Sequence, residues 1–286
     1  MQLRLLLLLP FGAAALWAGD NPAEQARTLY AAKRYPEARA VLEKLVAAEP
    51  NNAEAHYYLG DLAEKRGDMD EAVKQYEQAT TLAPKNVHYL LDLAGAYGAS
   101  AQKASMLFKL GPAKKCGECL EKAVALEPDN LEARQARFSF YRAAPGFVGG
   151  GHDKAAAEAE EIRKRDPILG AYVLGQIYLD EKKVPEAFAL YEEALKKAPD
   201  NYAVLYGLGR TAAQTGQQLD RGEQTLRRCL ALTPGPSDPP LEAVHWRLGN
   251  IAEKKGNKAA ARTEYETALK IQPGFKQAAE SLAKLK

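Results

Sequence analysis

The chain is poor in the residues that most often carry chemistry, with three cysteines and four histidines among 286 residues. Cys116 and Cys119 stand close together but lack a second pair at zinc spacing. Leu120, not His, follows Cys119, which excludes covalent haem attachment. His88 and His152 are isolated. Serine is scarce, and no Ser, His and Asp share a nucleophile-elbow context. Neither sign of charge is in excess: 39 Lys and Arg stand against 37 Asp and Glu. That removes the basic field on which nucleic-acid binding depends, and the chain is not acidic enough to be a disordered tail. No cofactor or metal is implied. A long apolar run is also missing. The longest, Leu5–Ala18, is broken by Pro10 and Gly12 and falls short of the roughly 20 residues that a membrane-spanning helix needs.

What is present begins with that run. "MQLR" is a short positive start, the apolar stretch follows, and small residues come at Ala18-Gly19. This is the pattern of a secretory signal peptide over residues 1–18. Cleavage after Ala18 leaves Leu16 at the −3 place, and cleavage after Ala15 puts Ala13 there. No Cys sits next to either cut, so nothing supports a lipid anchor. The expectation is export, to the periplasm or the medium.

The stretch "AAPGFVGGGHDK", Ala143–Lys154, has the look of a phosphate loop and fails on spacing. Gly146 to Gly151 leaves the right gap, but His152 and Asp153 stand where a P-loop needs Lys and Ser or Thr. No third Gly and no preceding strand support a dinucleotide site.

The rest of the chain repeats. In Ala53–Asn86, Leu59-Gly60, Ala72, Tyr76, Ala79 and Pro84 recur in a register that returns in Ile168–Asn201 as Leu174-Gly175, Ala187, Tyr191, Ala194 and Pro199. Glu242–Phe275 returns it with Leu248-Gly249, Ala261, Tyr265, Ala268 and Pro273, and Tyr202–Pro234 more weakly with Leu208-Gly209, Leu226 and Pro234. Each unit carries two apolar-periodic segments parted by a turn such as "KRGDMDEA" or "KKGNKAA". Small residues sit where two helices must approach, and large ones three or four places away fill the space. A Pro ends the second helix. One such hairpin cannot bury its apolar face alone, so the units must stack.

This pattern, on a period of about 34 residues, resembles the tetratricopeptide repeat family. The resemblance covers residues 19–286. It implies an all-α solenoid of about seven helical hairpins, with units near 19–52, 53–86, 87–130, 131–167, 168–201, 202–241 and 242–275 and a capping helix over 276–286. The terminal prolines Pro50, Pro84, Pro128, Pro167, Pro199, Pro234 and Pro273 mark the count. The Gly-rich stretch becomes an enlarged turn inside the fourth unit, with Phe147-Val148 as an apolar tip. "APGFVGGG", "DKA" and "KRDPILG" together are similar to a group of exported bacterial repeat proteins, which implies no activity.

The resemblance also frames the sites. In a Cys-x-x-Cys redox protein the motif lies between a strand and a helix. Here Cys116 falls on the small packing place held elsewhere by Ala72 and Ala187, and Cys229 falls where Ala79 and Ala194 stand. Packing is the main reading of Cys116 and Cys119, and a thiol switch or helix-embedded disulfide the alternative. His56 and His245 share one repeat place, a packing position and not a metal pair. The family's clamp for a peptide carboxylate takes Lys at the fifth and Asn at the ninth place of successive first helices. Only Asn250 matches, without its Lys. The fifth place is instead aromatic in four units, Tyr57, Tyr172, Tyr206 and Trp246, and Arg210 stands at a ninth place. In this family the fifth place usually faces the concave groove, and packing against the next helix is the alternative.

The reading is a non-enzymatic scaffold that binds a protein or peptide in its groove, through Tyr57, Tyr172, Tyr206, Arg210, Trp246, Asn250, Phe147 and Val148. A groove for glycan or cell-wall material is the runner-up, and a thiol redox protein the weakest alternative. No nucleic acid and no membrane span enter this reading.

Overall fold

The computed structural model describes residues 21–105, 108–235 and 238–285. The signal segment expected over 1–18 lies outside them. The architecture is all-α, a tetratricopeptide-type solenoid of helical hairpins with a short closing helix. In chain order the helices are α1 (Pro22–Ala31), α2 (Tyr35–Ala48), α3 (Ala53–Lys65), α4 (Met69–Leu82) and α5 (Val87–Lys103). There follow α6 (Leu110–Leu126), α7 (Leu131–Ala143), α8 (His152–Arg165), α9 (Pro167–Asp180) and α10 (Val184–Lys197). The last are α11 (Tyr202–Thr215), α12 (Leu219–Leu230), α13 (Leu241–Lys254), α14 (Lys258–Ile271) and α15 (Lys276–Lys284). Among the described residues no helix is long and apolar enough to cross a membrane.

The chain forms two compact units, the first through Gln102 and the second from Lys103. The division falls inside the third repeat, at the last residue of α5. The first unit buries Ala26, Ala38, Leu42, Leu45, Leu59 and Leu62 between α1, α2 and α3. The second has a larger continuous core running from Phe138 to Ile251.

Local chemistry explains the helix ends. Pro is followed two residues later by Asn at Pro50/Asn52, Pro128/Asn130 and Pro199/Asn201. Each Asn caps its first helix by accepting a backbone N–H three residues on, at 3.0 Å. Such a cap satisfies one of the donors a helix start leaves open. Pro167 departs from the expectation that each of these prolines ends a second helix. It opens α9, while Asp166 alone joins α8 to α9 and caps α9 through the N–H groups of Ile168 and Leu169.

The repeated Gly-to-Tyr register is a matter of space. A Cβ on Gly175 would lie 2.2 Å from Tyr191 Cζ, and one on Gly249 would lie 2.3 Å from Tyr265 Cε1. The fully buried Tyr76, Tyr191 and Tyr265 therefore fill the gap that each Gly opens. In the second unit, consecutive first helices touch each other, α9 with α11 and α11 with α13. The second helices α10, α12 and α14 make no comparable contact with one another. A stack with one tighter layer curves toward that layer, so α9, α11 and α13 form an inner wall.

The Gly-rich turn is built as a turn and not as a ligand loop. Residues Gly146–Val148 form one 3-10 turn lying against α6. Gly149 and Gly151 take φ of 109° and 129°, where side chains other than Gly are strained. A Cβ on Gly150 would fall 2.0 Å from the Ala144 carbonyl oxygen. The expected apolar tip is corrected here. Phe147 is 80% exposed, but Val148 is buried at 8%, because the 3-10 turn sends the two side chains to opposite sides.

Candidate functional site

The inner wall of the second unit holds most of the residues singled out in the sequence. Tyr172 on α9 and Tyr206 on α11 are 8% and 5% exposed and belong to the core. This corrects the expectation that both rings line a groove. They pack between successive first helices, where the close α9–α11 and α11–α13 contacts leave them little solvent. Burial raises the Tyr172 phenol above its ordinary range, with the Arg210 cation opposing.

Trp246 on α13 is half-buried. Its indole N–H donates to Ser281 Oγ at 3.0 Å, and its ring meets Phe275 edge-on at 6.0 Å. The Arg247 guanidinium lies 3.9 Å from the ring centroid, a cation over an aromatic face. Asn250 is used internally, its amide donating to Tyr265 Oη at 2.9 Å. Tyr265 in turn donates to Glu253 at 2.8 Å.

The ninth place forms a polar row. Ser139 is exposed on α7, Gln176 is buried on α9, and Arg210 is half-buried on α11. Gln176 Oε1 accepts from Arg142 Nη1 at 3.1 Å and from Arg210 Nη1 at 3.4 Å. Arg142 also grips Asp180 through two nitrogens. Between α7 and α9 these groups border an open cleft of about 490 Å³, walled by Ser139, Arg142, Gln176, Asp180 and His152. His152 meets Glu181 at 3.0 Å at its edge. Arg142, Gln176, Asp180 and Arg247 were not singled out from sequence. Gln176 stood at a ninth place, but nothing in the residue order tells that two arginines from neighbouring helices converge on it.

In the first unit, Tyr57 on α3 is half-buried and stacked on Tyr89 at 4.6 Å and 15°. Its hydroxyl donates to Asp92 at 2.8 Å and lies 2.8 Å from His88 Nε2. Tyr30 donates to Asp61, and Tyr76 to Glu64 at 3.1 Å. Burial and the Asp61 carboxylate push Tyr30 up to about 12. The carboxylates of this wall are thus matched by phenols.

Cys116 on α6 is buried, and burial alone pushes its thiol up to about 11. Cys229 is buried as well, with Sγ donating to the Tyr202 carbonyl at 3.8 Å. A thiol so placed stays protonated and unreactive at neutral pH.

Comparison with known proteins follows the same lines. Models of the tetratricopeptide repeat match residues 24–87 and 147–202, residues 178–238, and residues 242–275, together more than half of the chain. The chain belongs to the tetratricopeptide repeat family. Among solved structures, a tetratricopeptide repeat protein from Parabacteroides merdae superposes with a TM-score of 0.70 at 17% identity, over 92% of this chain and 96% of that one. At that identity the likeness speaks for the fold. Among curated proteins, the BBSome complex member bbs-4 of Caenorhabditis elegans is 24% identical over 243 residues, 83% of this chain and 49% of that protein. Human DnaJ homolog subfamily C member 7 is 24% identical over 56% of this chain and 33% of its own length. This tetratricopeptide repeat chain therefore spans half or less of the length of these relatives. The match to residues 24–87 takes in most of the first expected unit, 19–52.

Proposed function

We propose that this tetratricopeptide repeat protein is a non-enzymatic scaffold that holds a protein or peptide partner along the inner wall of its second unit, outside the cytoplasm. The observation that carries the reading is the row Ser139, Gln176 and Arg210: Ser139 and Gln176 wall an open polar cleft, and Arg210 donates to Gln176 from α11, the first helix that touches α9. A rigid helical wall presenting donors and acceptors suits an extended chain, whose backbone offers both. The C. elegans relative, by name a member of a complex, is in keeping with a binding role. Burial of Tyr172 and Tyr206 withdraws the aromatic platforms that a glycan groove would need, so the peptide reading is favoured. Export rests on the charged and apolar start of the chain.

A photo-crosslinking amino acid at Ser139 tests the wall, with one at the exposed outer residue Lys196 as control. Expression in the native host should give a partner adduct from position 139 and none from 196. Adducts from 196 alone would refute the inner wall. Intact-mass analysis of the mature protein should find a start between Leu16 and Asp20. A chain beginning at Met1 and recovered from the cytoplasm would remove the export reading.

A further inference from the structure

We infer that the open end of the α6–α7 hairpin is a docking surface for a lipid bilayer bearing anionic headgroups. This surface is separate from the inner wall and goes beyond the scaffold reading. Among the described residues five large hydrophobic side chains are exposed, and three of them, Phe108, Leu110 and Phe147, stand at this end. Phe147 at 80% and Phe108 at 74% are the most exposed of the five. None of the three walls the cleft.

Contacts along the hairpin place the three together. Residues 127–130 join α6 to α7, and the two helices run antiparallel. Gly117 lies level with Phe140, since a Cβ on it would fall 2.6 Å from Phe140 Cζ. Glu121 on α6 likewise accepts from Arg137 and Tyr141 on α7. Leu110 stands seven residues before Gly117, about 10 Å of helix, which carries it past the end of α7. The 3-10 turn Gly146–Val148 follows that same end and touches α6. Phe108 comes two residues before Leu110, so all three apolar side chains project where the hairpin opens.

The turn holds Phe147 outward. Val148 is buried beside it, the Gly150 N–H donates to the Pro145 carbonyl at 3.2 Å, and the Gly151 N–H to the Tyr141 carbonyl at 2.8 Å. Lys154 Nζ donates to the Gly149 carbonyl at 2.8 Å and ties the turn to α8. A ring on a turn fastened in this way stays in water until another apolar surface covers it. The charge around these rings leans positive. Segments 108–118 and 146–154 hold four lysines, Lys109, Lys114, Lys115 and Lys154, against two acids, Glu118 and Asp153, in a chain that is otherwise nearly balanced. All four lysines are exposed. Glu118 lies 3.9 Å from Lys114, and both side chains are mostly in solvent. Of the neighbouring acids, Glu121 is taken by Arg137 and Tyr141, and Glu181 by His152 and Lys183. Upstream, no acid stands between Asp92 and Glu118.

An anionic bilayer satisfies both features at once. Phe and Leu side chains enter the boundary between headgroups and acyl chains, while Lys stems lie along the apolar layer and their amines reach the phosphates. Rings projecting from two separate segments suit a broad surface, since both can enter it without a matching pocket. A few apolar side chains backed by lysines give reversible adsorption that needs both parts, because neither holds alone.

The test is flotation of the full chain with vesicles of phosphatidylcholine alone and of phosphatidylcholine with one third phosphatidylglycerol. Binding should be at least tenfold tighter to the anionic vesicles and should weaken as salt rises. Phe108→Ser and Phe147→Ser should each lower it at least fivefold. Lys109→Gln and Lys114→Gln should each lower it about fivefold on the anionic vesicles. Ile271→Ser and Lys196→Gln, at exposed places elsewhere, should leave it unchanged. Melting temperatures should hold throughout, because every substituted side chain is exposed. Residues 1–18 are common to all variants, so the differences read the hairpin end alone. Phe147→Trp supplies a local probe, whose emission, taken as the difference from the parent chain, should shift to the blue with anionic vesicles. A probe at position 147 that stays in water would overturn the proposal, as would equal binding to both vesicles or Ser variants that bind like the parent. Self-association lost in Phe147→Ser, without vesicle binding, would overturn it by giving the surface to a second copy of the chain.

Discussion

Tyr172 and Tyr206 occupy a place that the family resemblance assigns to a binding groove, yet each is part of the core. Tyr172→Ala and Tyr206→Ala should each cost about 3–5 kcal/mol of stability, read from urea unfolding. A cost near zero would mean that the rings are free to leave the wall. The cysteines make a second residue-scale case. Cys116 has its thiol pushed up to about 11 from an ordinary 9.0 by burial. The folded state holds the proton more tightly than the unfolded one, so this contribution is complete below about pH 9. It is lost between pH 9 and 11, at about 1.4 kcal/mol per pH unit. Cys116→Ala should flatten the fall of stability over that window and leave stability at pH 7 within about 1–2 kcal/mol. A variant with an unchanged alkaline profile would show that other groups set it. Native Cys116 should also resist thiol reagents at neutral pH.

At the scale of elements, the hairpin turns show how one position is solved in two ways. Gly67 and Gly256 turn between paired helices with φ of 79°, and Lys33 and Lys182 stand at the equivalent place with φ of 58° and 63°. A left-handed conformation costs a side-chain-bearing residue about 1–2 kcal/mol, while Gly adopts it freely. Lys182→Gly and Lys33→Gly should therefore stabilise the protein by about 0.5–1 kcal/mol, since the greater freedom of Gly in the unfolded chain offsets part of the gain. Thermal unfolding of each single variant checks this, and destabilisation would show that the Lys side chains hold contacts worth more than the strain. Helix starts follow a simpler rule. Asn after Pro-x caps α3, α7 and α11 alike, and that rule can be read directly from the residues.

At the scale of the whole molecule, the two compact units differ in chemistry. The inner residues of the first match carboxylates with phenols, as Asp92 with Tyr57 and Glu64 with Tyr76. In the second, buried acid is held by arginines instead, as Glu158 between Arg134 and Arg137. Each unit also has its own apolar core. A fragment over 103–286 should then be helical and unfold cooperatively, as stacked repeats do once enough neighbours are present. Circular dichroism with urea titration measures this, and a fragment without a cooperative transition would make the second unit dependent on the first.

The residues alone determined the class of fold, because hairpin periodicity, the Gly-to-Tyr register and the Pro spacing are local and repeat along the chain. Gly175 and Gly249 were legible as small places, and Tyr191 and Tyr265 as large ones recurring in the same register, while the pairing of each Gly with its Tyr across the hairpin came from the contacts. The enlarged turn at 146–151 was legible in the same way, since only Gly tolerates its backbone. Which face of each ring meets solvent was not legible. It depends on how closely α9, α11 and α13 approach, and that distance is the sum of many helix contacts. Val148 left the surface for a similar reason, its direction being set by one 3-10 turn against α6. The meeting of Arg142, Gln176 and Arg210 was decided by the tertiary structure alone, because residues 34 apart in sequence become neighbours only when successive repeats stack.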